Sequence, residues 1–124
     1  MLAGSRVVAF LATSRPDDAP RFYAETLGLR LVSDDTYAIV FDANGVVLRI
    51  QKKRDHTPSP QTVLGWDVDD IRASVQGLSD KGVSFERFEQ LTHDELGIWT
   101  SPVGARVAWL RDPDGNTLSL TQFS

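Results

Sequence analysis

The chain of 124 residues passes through one order of elements twice, and this internal repeat limits the fold more than any other feature. Residues 6–12 (RVVAFLA) are apolar and rich in β-branched side chains, so they read as a strand. Ser14 to Asp18 stop it. Asp17 is placed to cap a helix whose first turn holds Pro20, where a missing N–H costs little. Ala19, Phe22, Tyr23 and Leu27 follow at helical spacing, and Gly28 stands where a helix ends in a left-handed residue. Strands are expected at Leu29 to Val32, Tyr37 to Phe41 and Val46 to Ile50, with Asn44-Gly45 as the hairpin signal between the last two. The second half repeats the pattern. Thr62 to Val68 reads as a strand, and Asp69 or Asp70 caps a helix that carries Ile71, Val75 and Leu78 on one face. Lys81-Gly82 ends that helix. Further strands are expected at Val83 to Phe88, Arg106 to Leu110 and Thr117 to Thr121, the last two joined by Asp112-Pro113-Asp114-Gly115.

The chain therefore reads β-α-β-β-β twice, an α+β fold. Module one covers 1–52, a linker with Pro58 and Pro60 covers 53–61, and module two covers 62–124. Val8 matches Val63 at an offset of 55, whereas Gly45 matches Gly115 at an offset of 70. The extra length falls mostly between Glu89 and Gly104, a segment without a counterpart in the first half.

Alternation assigns the faces of the strands. Leu48, Ile50, Leu64, Trp66, Val68, Leu118 and Leu120 point toward the helices. The opposite face then carries Arg49, Gln51, Asp67, Ser119 and Thr121 beside Val8, Phe10 and Val63. Two sheets curving toward each other would make this face a concave cleft, and an apolar wall with a few polar groups is what a small-molecule pocket needs. Trp66 is expected in the core and Trp109 in the core or in sheet packing. Trp99, in the long segment, either stacks on a planar ligand or anchors its own loop.

Composition excludes several classes. With 41% hydrophobic and 24% charged residues the chain is neither disordered nor fibrous. No apolar run approaches the roughly 18 residues of a membrane span. Met1 to Phe10 lacks the long apolar stretch of a signal peptide, so a cytoplasmic protein is expected. Cysteine is absent, which removes disulfides, thiolate metal sites and Cys nucleophiles. A net charge of −4 without a basic stripe speaks against nucleic acid and anionic membrane as partners. No Gly-rich phosphate loop, no G-x-S-x-G elbow and no spacing that nominates a triad occurs. Asp67 and Arg49 could form an acid/base pair or a structural salt bridge. His93-Asp94-Glu95 reads as a turn or helix start, or as a displaced metal site.

Three runs carry a family resemblance. They are Asp17-Asp18-Ala19-Pro20-Arg21-Phe22-Tyr23 through Thr26-Leu27-Gly28-Leu29, then Val68-Asp69-Asp70-Ile71, then Trp109-Leu110-Arg111-Asp112-Pro113-Asp114-Gly115-Asn116 with Leu118 and Leu120. Together, at the repeat positions, they resemble the vicinal oxygen chelate superfamily of glyoxalases, bleomycin resistance proteins and extradiol dioxygenases, and the resemblance covers nearly the whole chain. The resemblance implies a glyoxalase-like fold, a curved mixed sheet with a concave cleft, and a homodimer that completes that cleft. It also implies a divalent metal held from the first and last strand of each module. Carried over, those positions are Val8, Arg49, Val63 and Ser119, which are not the His, Glu or Gln of the metal enzymes. The expectation is a protein without cofactor that binds a small molecule through Phe10, Arg49, Gln51, Asp67, Trp99 and Ser119. The alternative is a glyoxalase-like lyase or isomerase acting on a small carbonyl compound, metal-free or with His93 or Glu95 in a displaced site. A third reading is an interaction module without a ligand.

Overall fold

The computed structural model describes residues 1–124 and divides into two compact units, Met1–Thr57 and Pro58–Ser124. In unit 1 the elements are β1 (Val8–Thr13), a short α1 (Ala19–Arg21) that widens into a π-helical turn (Phe22–Thr26), β2 (Arg30–Asp34), β3 (Ala38–Ala43) and β4 (Val46–Lys52). Its sheet has the order β1-β4-β3-β2, with β1 and β4 parallel and the other pairs antiparallel. In unit 2 they are β5 (Thr62–Asp67), α2 (Ile71–Asp80), β6 (Trp99–Thr100), β7 (Arg106–Arg111) and β8 (Thr117–Gln122). Its sheet order is β5-β8-β7-β6, again with one parallel pair at the β5 edge.

Each unit buries one face of its sheet under its helix. In unit 1, Leu11, Ile39, Phe41, Leu48 and Ile50 close over Ala19 and Tyr23. The Tyr23 and Phe41 rings meet at 5.8 Å. In unit 2, Ile71 and Val75 of α2 pack on the strands that carry Ala108, Leu110, Leu118 and Leu120. The expected alternation holds: Leu48 and Ile50 are buried, whereas Val47 and Gln51 between and beyond them are exposed and Arg49 is half-buried. Asn44 and Gly45 both have positive φ, at 52° and 89°, the geometry that a two-residue hairpin demands and that Asn-Gly supplies with little strain.

Helix α2 starts as expected. Asp70 accepts from Ala73 N at 3.1 Å, and Gln122 Oε1 of β8 takes Ile71 N at 2.9 Å, so two of the orphan donors are satisfied. The first helix differs from its expectation. Asp17 does not cap it; the cap position is Asp18, whose carboxylate instead takes Arg15 Nε at 2.8 Å. Leu27 N bonds Phe22 O, five residues back, which makes the second half π-helical.

The larger correction lies at residues 83–104. Val83 to Phe88 is not a strand. Of its backbone donors, Glu86 N bonds Trp109 O at 2.8 Å and Phe88 N bonds a side chain. The Arg106–Val107 end of the β7 edge is taken by β6, with Trp99 opposite Val107 and Thr100 opposite Arg106. The additional segment folds back and occupies the edge that an 83–88 strand would have used, so β6 fills the place in unit 2 that β2 fills in unit 1.

Candidate functional site

Register places the expected residues in rows across the open faces. On the unit 1 sheet, Phe10 of β1 stands beside Arg49 of β4, and Gln51 lies two residues along opposite Ala12. Val8, Phe10 and Val47 leave this face apolar and exposed, at 44%, 56% and 41%. Arg49 also acts on its surroundings. The Asp35 carboxyl is held below its usual value first by the Ala38 and Tyr37 N–H groups, with a smaller contribution from Arg49 and Lys52.

On the unit 2 sheet one row runs Gly65, Ser119, Trp109 and the next runs Asp67, Thr121, Val107, Trp99. The first row explains a concavity. Gly65 has no side chain and Ser119 a small one, which leaves space above this pair of the ladder. The resulting depression has a volume of about 330 Å³ and is lined by Gly65, Trp66, Asp67, Ser119, Thr121 and Phe123. A Cβ on Gly65 would lie 2.6 Å from Ser119 Oγ, so the hydroxyl stands directly over the glycine. Ser119 is 9% exposed, yet its hydroxyl makes no hydrogen bond within the protein. Asp67 likewise has no hydrogen bond or ion pair.

Trp99 is not at this concavity. It shares a row with Asp67 but stands three strands away, about 14 Å at ordinary strand spacing. Its ring packs on Trp109 at 5.9 Å, and Trp109 also meets Phe88 at 5.2 Å and His93 at 6.2 Å. Of the two places the sequence left for Trp109, sheet packing is the observed one, on the open face. Trp99 thus anchors its loop, and it also lines a second, more open depression of about 500 Å³ with His93, Asp94 and Ile98.

The His93-Asp94-Glu95 run is a turn, and each member has structural work. His93 Nε2 accepts from Phe88 N at 3.0 Å while Nδ1–H donates to Gly97 O at 2.8 Å, so both ring nitrogens are engaged and the tautomer is set. Asp94 Oδ1 accepts from Leu96 N and Ile98 N, both at 2.9 Å. Glu95 and Asp94 grip Arg72 of α2 at 2.7 and 3.3 Å, and the Arg72 hydrogen bond lowers the Glu95 carboxyl below its usual range.

The metal positions implied by the resemblance can be tested by their donors. Val8 and Val63 bring no lone pair, Arg49 brings a permanent charge, and Ser119 brings one neutral hydroxyl. Val63 also falls at a β5 bulge, and the neighbouring Ile50 and Leu118 are buried on the helix side. This set does not fit a divalent ion. No three His, Asp or Glu side chains gather elsewhere in the chain.

Sequence reasoning missed Phe123, which lies beyond the strand expected at Thr117 to Thr121; carrying the Ser119, Thr121 alternation one step further would have found it.

Comparison with known proteins adds the family. The model of the Glyoxalase/Bleomycin resistance protein/Dioxygenase superfamily matches residues 6–120. No curated protein matches. Among solved structures, TnmS3, an antibiotic binding protein from Streptomyces sp. CB03234, is 24% identical with a TM-score of 0.77, covering 100% of this chain and 99% of that one. A bleomycin resistance determinant encoded on the transposon Tn5 is 21% identical with a TM-score of 0.74, covering 95% and 97%. Lactoylglutathione lyase from Agrobacterium tumefaciens is 16% identical with a TM-score of 0.75, covering 96% and 93%. At these identities the likeness carries the fold alone, but the family match spans most of the sequence, and the chain belongs to the glyoxalase/bleomycin resistance protein/dioxygenase superfamily.

Proposed function

We propose that the chain is a binding member of this superfamily, a cytoplasmic homodimer that takes up a small molecule without a resident metal, and that the depression over Gly65 and Ser119 holds that molecule. One observation carries the reading. The Ser119 hydroxyl, which has no hydrogen-bond partner within the protein, lines a concavity of about 330 Å³, within the size range of small-molecule sites. Its oxygen is not sealed from solvent, so its donor and acceptor capacity is open to a molecule in the concavity. The donor set at the inherited metal positions supports a role without metal. The engagement of His93 and Glu95 in the loop leaves the lyase or isomerase alternative without its nominated groups. Two similar folds are described as an antibiotic binding protein and a bleomycin resistance determinant, which agrees with binding as the activity. The exposed apolar row Val8, Phe10 and Val47 supports a homodimer, because such surface favours cover. No helix is long and apolar enough to cross a membrane.

The test is a fragment screen followed by amide shifts in the ¹H–¹⁵N spectrum, with metal content measured on the same undialysed sample. Hits are expected to move Gly65, Ser119 and Thr121. Gly65→Val and Ser119→Val, each filling the depression, are expected to abolish them. Hits that map elsewhere and survive in both variants would overturn the site. Divalent metal near one per chain would overturn the metal-free reading, and a monomer at micromolar concentration by sedimentation would overturn the dimer.

A further inference from the structure

The charge around the depression favours one kind of ligand. Asp67 offers only acceptors, and its carboxylate is unpaired. Thr121 stands opposite Asp67 in the ladder, and Ser119 opposite Gly65, so two hydroxyls line the same side. Phe123, 65% exposed, continues the alternation of Ser119 and Thr121 and adds an aromatic surface to the lining. None of the lining residues is Lys, Arg or His. The wider field has the same sign. Residues 58–124 carry ten Asp and Glu against five Lys and Arg, whereas residues 1–57 carry seven against eight. Of those five cations, Arg72 is held by Asp94 and Glu95, Arg111 by Glu86, and Arg87 donates to the Glu95 carbonyl.

Resting on the binding reading above, we propose that the group recognised in this depression is a protonated amine attached to an apolar or aromatic body. The N–H donors of such a cation reach the Asp67 carboxylate and the Ser119 and Thr121 oxygens, and the attached body lies against Phe123. Gly65 is a positioning residue in this arrangement. Its missing Cβ lets Ser119 Oγ turn toward β5, the strand that carries Asp67. An anionic ligand would place its charge beside Asp67 with no cation in the lining to offset it.

Three probes of one shape separate the possibilities: 2-phenylethylammonium, 2-phenylethanol and 3-phenylpropanoate, each titrated into the intact chain with the Gly65, Ser119 and Thr121 amides as readout. The ammonium is expected to saturate these shifts with about tenfold higher affinity than the alcohol, and the propanoate to leave them unmoved. Asp67→Asn, an exposed and shape-conserving change, is expected to lower ammonium affinity about tenfold and leave the alcohol unaffected. Equal or tighter binding of the propanoate, or an Asp67→Asn variant that binds the ammonium unchanged, overturns the amine assignment and leaves the binding site standing. If no probe moves these amides, the site itself fails and the amine assignment fails with it.

Discussion

Replacing His93 by Ala tests whether this residue serves structure or chemistry. Its ring ties two backbone points together, taking Phe88 N at 3.0 Å and giving a proton to Gly97 O at 2.8 Å. It also fills space between Phe88 and Trp109, with centroids 6.2 Å from each. Truncation removes both bonds and the ring contacts. At about 1 kcal/mol per hydrogen bond and roughly 0.5–1 kcal/mol for the aromatic edges, the loss is about 2–3 kcal/mol. For a chain of this length that corresponds to a melting temperature lower by about 8–12 °C. The ring is only half-buried, so water reaches part of the vacated space and the figure belongs at the lower end. Urea unfolding followed by tryptophan emission reads the change directly, because Trp99 and Trp109 stand in the same cluster. Hydrogen exchange at the Phe88 amide reports the lost bond locally. A destabilisation under about 0.5 kcal/mol with Phe88 protection unchanged would refute the structural assignment. His93 would then be free for another task, and the displaced-site alternative would return.

Two further outcomes follow from caps and charges. Asp70→Ala removes the acceptor of Ala73 N and is expected to cost about 1 kcal/mol in urea unfolding, with Asp70→Ser recovering most of it. Asp35 and Asp42 titrate below their usual range, Asp35 through the Ala38 and Tyr37 N–H groups and Asp42 through Gly45 N–H and then Arg30. A carboxyl lowered in the folded state adds stability above its unfolded pKa and loses it as pH falls through the folded value. Stability is therefore expected to fall on the acid side of the ordinary carboxylate range. Asp35→Asn is expected to flatten that limb, leaving less difference between pH 7 and pH 3 than in the parent chain.

The strands and hairpins were legible because their signals are local. Alternation from Val46 to Gln51 needs only the pleat, and Asn44-Gly45 needs only the left-handed backbone that it adopts. The segment from Val83 to Gly104 was not legible, because its structure is made by tertiary contacts. Phe88 finds its acceptor on a side chain five residues ahead, and Trp99-Thr100 becomes a strand only because the β7 edge is open to it. An isolated Val83 to Phe88 does look like a strand. It fails to become one because another segment of the same chain takes the Arg106–Val107 end of that edge, whatever its place in sequence.

The candidate site shows the same division between local and tertiary information. Asp67 and Ser119 could be placed on one face by counting, but a face is not a site. What turns it into one is the lateral pairing of Gly65 with Ser119 and of Asp67 with Thr121, which exists only once β5 is set beside β8. Each member alone has an ordinary explanation: a glycine weakens a strand, a serine or threonine tolerates one, and an aspartate sits on a solvated face. Side by side they line one depression. A Cβ at this position of β5 would lie 2.6 Å from Ser119 Oγ, so any other residue at 65 turns that hydroxyl out of its present place. A residue that is unfavourable for its element and sets where its neighbour's polar atom lies is where local preference has yielded to tertiary arrangement.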